Sequence, residues 1–129
     1  LRWSSRAGDG RWSDHPWWRP GIEMPRMYWT PVISPASIVF YTGDKFPEWR
    51  GNLFVGALTA QQMQRVVIRG GGRGAGGQSE QRQPMLPELR MRFRDVGQGP
   101  LGYLYVATEA AYGSGKPDGA ILRIEPAEK

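Results

Sequence analysis

Most of the chain alternates between apolar and polar positions with a period of two, in short segments. The clearest are "SIVFYT", "GNLFVGAL", "QMQRVVIR", "MRFRDVG", "LGYLYVAT" and "AILRIEP". Because successive side chains of a strand point to opposite faces, this period predicts β-strands. The strands are expected near residues 36–41, 51–58, 62–69, 92–97, 102–108 and 119–124, with no helix longer than about two turns. The segment "MLPEL", residues 85–89, is predicted to be one more short strand.

Two long stretches lack this pattern. Residues 1–35 are rich in Trp, Arg, Pro and Gly without a period of 2 or 3.6, which predicts a long irregular loop. Residues 70–84, "GGGRGAGGQSEQRQP", contain no core-forming residue, which predicts a polar connector. We expect residues 1–20 and 70–83 to be the least ordered parts, because they hold few apolar anchors.

The strands come in groups separated by longer loops. This spacing is typical of β-propeller blades, which contain four strands in about 40–45 residues. A chain of 129 residues can supply only about two to three such blades. The pattern therefore predicts an all-β fold, either a small sandwich or part of a larger propeller.

Composition narrows the function classes. The chain has 17 Lys and Arg against 12 Asp and Glu, a net charge of +5, so an anionic partner is possible in principle. The absence of cysteine excludes disulfides and thiolate metal sites. No apolar run approaches the ~20 residues of a membrane-spanning helix, so no membrane span is expected.

Two arginines are the strongest candidates for chemistry. Arg92 and Arg94 are two residues apart in a predicted strand, so their side chains should leave the same face about 7 Å apart, while Phe93 points into the core. Two adjacent guanidinium groups suit a rigid anion with several carboxylates, since each can make paired hydrogen bonds. The alternative is a solvated strand face with an Arg–Asp ion pair.

Several segments resemble one known family. "SPAS…FYTGDKFPEWRGNLFVGAL", "RMRFRDVGQGPLGYLYVATE" and "DGAILRIEP", within residues 23–126, resemble the C-terminal part of the soluble aldose sugar dehydrogenases of the glucose/sorbosone dehydrogenase family. The resemblance implies the last two or so blades of a six-bladed β-propeller, a fragment over residues 23–129 that follows an irregular N-terminal loop over residues 1–22. It also implies a quinoprotein that oxidises an aldose sugar at C1 to the lactone with pyrroloquinoline quinone (PQQ), calcium and an external electron acceptor.

The resemblance assigns roles to four residues. Arg92 and Arg94 match the two cofactor-binding arginines of the family, and Asp95 is expected to orient one of them or cap the turn. As cofactor ligands they should not be neutralised by any local carboxylate other than Asp95. Tyr28 and Trp29 match a loop that borders the sugar pocket, although core packing or a loop anchor would explain Trp29 equally well.

The remaining parts of the family's active site are expected upstream. His15 stands in "WSDHPWWRP", which resembles no catalytic motif, so no catalytic residue and no calcium ligand is assigned here. The resemblance implies that the full-length protein is a periplasmic or secreted oxidoreductase, and this chain alone is expected to be inactive.

Two alternatives are a small β interaction module without chemistry and an RGG-type nucleic-acid binder. The second is disfavoured, so no nucleic acid is expected, because residues 65–82 hold one short Arg–Gly stretch without interleaved aromatics.

Overall fold

The computed structural model describes residues 27, 29–69, 79–111 and 119–127. The chain divides into two compact units, residues 1–32 and 33–129. The loop predicted over residues 1–22, His15 and the first part of the predicted connector lie outside the described residues. The strands that follow all belong to the second unit.

The described part of the second unit consists of two antiparallel sheets. Its strands are β1 Pro35–Phe40, β2 Leu53–Ala57, β3 Gln62–Arg69, β4 Ser79–Met85, β5 Arg92–Gln98, β6 Leu104–Glu109 and β7 Ala120–Ile124. Strands β1 to β4 form one sheet in chain order, and β5 to β7 form the other. The all-β prediction is confirmed, and the six expected strands end within two residues of their predicted ends.

The predicted connector is wrong for residues 79–84, which form most of β4. This strand pairs with β3 from Met85 opposite Met63 to Ser79 opposite Arg69. The side chains of residues 80–84 are exposed, so the strand has no apolar alternation to reveal it. It is held by backbone hydrogen bonds to β3, and these bonds do not depend on the identity of the side chains.

The strand predicted over residues 85–89 is also wrong. Leu86 and Arg90 adopt left-handed backbone conformations, with φ of 56° and 49°, on either side of a short 3-10 turn at Pro87–Leu89. Proline has no backbone N–H to donate to a ladder, and the left-handed residues reverse the chain direction. The segment therefore serves as the link from the first sheet to the second.

The core lies where the two sheets meet. Its fully buried side chains are Phe54 and Met63 from the first sheet, Tyr41 from the loop after β1, and Phe93, Leu104 and Val106 from the second sheet. Strand β2 approaches β5 so closely that a Cβ at Gly56 would lie 3.0 Å from the carbonyl oxygen of Phe93. Glycine at this position lets the two sheets pack together, which places β5 against the first sheet.

Polar contacts also join the sheets at one end. The Gln98 Oε1 accepts hydrogen bonds from the backbone N–H of Thr42 at 2.8 Å and of Gly43 at 3.1 Å. Gln98 is the last residue of β5, and the two donors follow β1. These bonds satisfy backbone groups of the loop after β1 that no strand partner reaches.

Candidate functional site

The arginine pair lies at a β-bulge. Arg92 is opposite Glu109 and Phe93 is opposite Thr108, but the next pair along the ladder is Asp95 with Ala107. Arg94 is therefore the extra residue of β5, and two residues on this strand oppose one on β6. As a result Arg94 and Asp95 are both exposed, while Phe93 remains fully buried as predicted.

The bulge is anchored to the neighbouring sheet. The backbone N–H of Val96 donates to Ser37 Oγ of β1 at 2.7 Å and to Asp95 Oδ1 at 2.9 Å. A bulge disrupts the local ladder, so an amide there needs another acceptor. Asp95 thus supports the backbone of the bulge, and the predicted role of orienting an arginine falls to a different carboxylate.

That carboxylate is Glu109, the last residue of β6. Its Oε1 lies 2.7 Å from Nη1 of Arg92, and its Oε2 accepts a hydrogen bond from Nε of Arg94 at 2.6 Å. One carboxylate thus bridges both guanidinium groups, which confirms that the two arginines share a face of the strand. The three side chains are partly open to solvent, with exposed fractions of 25% for Arg92, 52% for Arg94 and 32% for Glu109.

The expectation that only Asp95 would neutralise the arginines is wrong. Glu109 lies directly opposite Arg92 in the hairpin, and Arg94, the extra residue of the bulge, reaches the same carboxylate. The register of the β5–β6 hairpin would have identified Glu109 as the partner of the arginines. That register includes a bulge, which the alternation of apolar and polar residues in the sequence does not reveal.

The electrostatics of the cluster follow from these contacts. The hydrogen bond from Arg94 holds the pKa of the Glu109 carboxyl below its ordinary value; partial burial opposes this shift, and the charge of Arg92 adds to it. Glu109 is therefore ionised near neutral pH, and Arg92, Arg94 and Glu109 together keep one net positive charge. Each guanidinium carries five N–H donors, and the contacts with Glu109 are made by Nη1 of Arg92 and Nε of Arg94.

Trp29 and Tyr28 are the two predicted sugar-contacting residues. Trp29 is partly buried in the first unit, and Tyr28 lies outside the described residues. A role for either at a sugar pocket stays a prediction.

In the part of the chain that the structure describes, no three His, Asp or Glu side chains group together as a potential metal site. In the same residues, no helix has the length and apolar character needed to cross a membrane.

Comparison with known proteins identifies the family. The chain matches the glucose/sorbosone dehydrogenase family model over residues 6–123. The chain belongs to the glucose/sorbosone dehydrogenase family. The family model matches from residue 6, whereas the resemblance noted in the sequence begins at residue 23.

One curated relative is the aldose sugar dehydrogenase YliI of Escherichia coli strain K12. It is 33% identical over 106 residues, which cover 82% of this chain and 25% of the relative. The chain spans only about a quarter of the length of the curated relatives that it matches. The chain therefore corresponds to a limited part of each of these longer proteins.

Solved structures agree with this assignment. A glucose dehydrogenase matches with a TM-score of 0.66 and 30% identity over 81% of this chain and 29% of its own. The soluble aldose sugar dehydrogenase of Escherichia coli, in its apo-form, matches with a TM-score of 0.66 and 32% identity over 84% of this chain and 28% of its own. The two sheets are thus blades of a β-propeller, which is one of the two architectures that the strand spacing left open and the one that the family resemblance implied.

Proposed function

We propose that this chain is part of a PQQ-dependent sugar dehydrogenase that oxidises an aldose at C1 to the lactone, and that Arg92 and Arg94 bind the cofactor. The observation that carries the proposal is that both guanidinium groups lie side by side at the bulge, partly open to solvent, and keep one net positive charge together with Glu109. Family membership supports the sugar dehydrogenase part. The name of the aldose sugar dehydrogenase relative supports an aldose as the substrate class.

The donor set of the cluster fits the cofactor. PQQ is a planar tricarboxylate, and guanidinium groups bind carboxylates through charge-assisted hydrogen bonds. Glu109 shows within this chain that one carboxylate can bridge the two guanidinium groups, and a cofactor carboxylate would use other N–H donors of the same groups. When bound, PQQ supplies an ortho-quinone that accepts the hydride from the sugar C1.

The residues of this chain would bind and orient rather than carry out chemistry. Arg92 and Arg94 would hold cofactor carboxylates, and the buried Phe93 between them would fix the strand that carries them. Trp29 and Tyr28 would border the sugar. We assign no proton-transfer step to any described side chain, and we propose that the calcium ligands, the catalytic base and the contacts with an external electron acceptor lie elsewhere in the full-length protein.

The proposed function also carries a proposal about where the full-length protein is located in the cell. The family resemblance implies a periplasmic or secreted quinoprotein, and we propose this location for the full-length protein. Fractionation of cells that express it should recover the protein outside the cytoplasm, and recovery with a cytoplasmic marker would contradict this part of the proposal.

The test is a titration of the full-length apo-protein with PQQ. PQQ affinity is measured first, and the rate of sugar oxidation is measured afterwards. The Arg92→Ala variant should weaken PQQ binding by roughly 1.5–3 kcal/mol, the range for a hydrogen bond to a charged group. Arg50→Ala is the matched control, because Arg50 forms an exposed ion pair with Asp44 away from the bulge. Equal PQQ affinity in wild type and Arg92→Ala would show that the pair is only a solvated strand face.

A further inference from the structure

We propose that Glu109 is the positioning residue of the arginine pair: its carboxylate holds the guanidinium groups of Arg92 and Arg94 together before an anionic ligand binds. This inference rests on the proposed function, in which the ligand is PQQ. It adds a residue on a different strand to the site, and it assigns that residue a role in the ligand-free protein.

The first argument is the cost of bringing two like charges together. Arg92 and Arg94 are permanently charged, and their long side chains lose considerable rotamer freedom when fixed in one orientation. Without a counter-charge, the two groups would repel each other and separate into solvent. Glu109 places one oxygen on each guanidinium, at 2.7 Å and 2.6 Å, and so offsets the repulsion in the ligand-free state.

The second argument is the position of Glu109 in the backbone. It is opposite Arg92 in the β5–β6 ladder, and the bulge makes Arg94 the extra residue beside that pair. The bulge is tied to β1 through the hydrogen bond from the Val96 N–H to Ser37 Oγ. The carboxylate therefore rests on a paired strand, which suits a group that must hold others in fixed geometry.

The third argument is what remains for a ligand. Glu109 meets Arg94 through Nε and Arg92 through Nη1, one nitrogen of each. Among the described residues, no other carboxylate is paired with either guanidinium. Toward the described residues, further N–H donors of both groups are therefore left for an anion, and the net positive charge of the three side chains attracts it.

The experiment measures PQQ binding to the full-length apo-protein by absorbance or fluorescence titration, with no turnover involved. Glu109→Ala should weaken binding about tenfold, the scale expected for ordering two rotamer-rich side chains during binding instead of before it. Glu109→Gln keeps the length and one acceptor oxygen, so it should recover part of that loss. Glu125→Ala, which removes the partner of Arg123 on β7, is the matched control and should bind normally.

A second readout reports on the ligand-free protein directly. In apo-protein with ¹⁵N-labelled arginine, the Nε–H signal of Arg94 should shift and exchange faster with water in Glu109→Ala, because its acceptor is gone. Thermal unfolding of each apo-variant verifies that the fold is retained, and Glu109→Gln provides the comparison if the alanine variant unfolds.

Two outcomes separate this inference from the function on which it rests. Weaker PQQ binding in Arg92→Ala, together with unchanged or tighter binding in both Glu109 variants, would overturn the positioning role and show that Glu109 competes with the ligand. Unchanged binding in Arg92→Ala would overturn the proposed function, and the inference with it.

Discussion

The hydroxyl group of Tyr41 donates a 2.7 Å hydrogen bond to the carbonyl oxygen of Gly102, which lies 61 positions further along the chain. The same hydroxyl accepts the backbone N–H of Phe46 at 3.1 Å. Tyr41 directly follows β1, and Gly102 belongs to the turn between β5 and β6. One fully buried side chain therefore ties a loop of the first sheet to a turn of the second.

Replacing Tyr41 with phenylalanine should destabilise the protein by about 1–3 kcal/mol, because a buried donor and a buried acceptor lose their partner. Chemical denaturation of the full-length protein would measure the free energy of unfolding. Tyr103→Phe is the control, since the Tyr103 ring is partly exposed and its contacts with Lys45 and Arg123 need only the aromatic face. Equal stabilities of the two variants would contradict the bridging role of Tyr41.

Gly43→Ala should disturb the same junction by crowding. A Cβ at Gly43 would lie 2.6 Å from the Tyr41 hydroxyl oxygen and 2.9 Å from Cα of Gly102. Overpacking of this kind costs about 1–3 kcal/mol in the free energy of unfolding. Gly97→Ala is the matched control, because a Cβ there meets nothing within 4 Å. If Gly43→Ala were as stable as Gly97→Ala, the loop after β1 would not be packed as described.

Ser37 and Asp95 should show coupled effects on stability. Both side chains accept a hydrogen bond from the Val96 N–H. When either residue is changed to alanine, this amide therefore still has one acceptor. Each should cost about 1 kcal/mol or less, the net value of one hydrogen bond. The double variant should cost more than the sum, because the amide is then left without a partner. Additive free energies of unfolding would show that the two acceptors do not share this amide.

The ionisation of Glu109 should depend on Arg94. A pKa that is lowered in the folded protein means that the ionised carboxylate stabilises the fold above the unfolded-state pKa, and that this contribution is lost as pH falls through the folded value. An NMR titration of the side-chain carboxyl carbon should place the Glu109 midpoint below the ordinary range. In Arg94→Ala the midpoint should rise, because the first cause of the shift is removed. An unchanged midpoint would contradict the ion pair.

Much of the fold could be predicted because it depends on local periodicity. Alternating segments such as "GNLFVGAL" must place every second side chain on one face, and six strands follow from that rule. The shared face of Arg92 and Arg94, and the burial of Phe93 between them, come from the same period. The segments that resemble a family likewise identify that family from the sequence.

The rest was decided by pairing between distant segments. Strand β4 carries no apolar pattern, and it forms because its backbone completes the ladder of β3. The bulge at Arg94 is fixed by the register with β6 and by Ser37 on another strand, and that register brings Glu109 to the arginines. The sequence determined which residues face the same way, because side-chain direction is a property of the local backbone. The tertiary structure alone decided which carboxylate meets the arginines, because hydrogen-bond partners across a sheet depend on register and not on proximity along the chain.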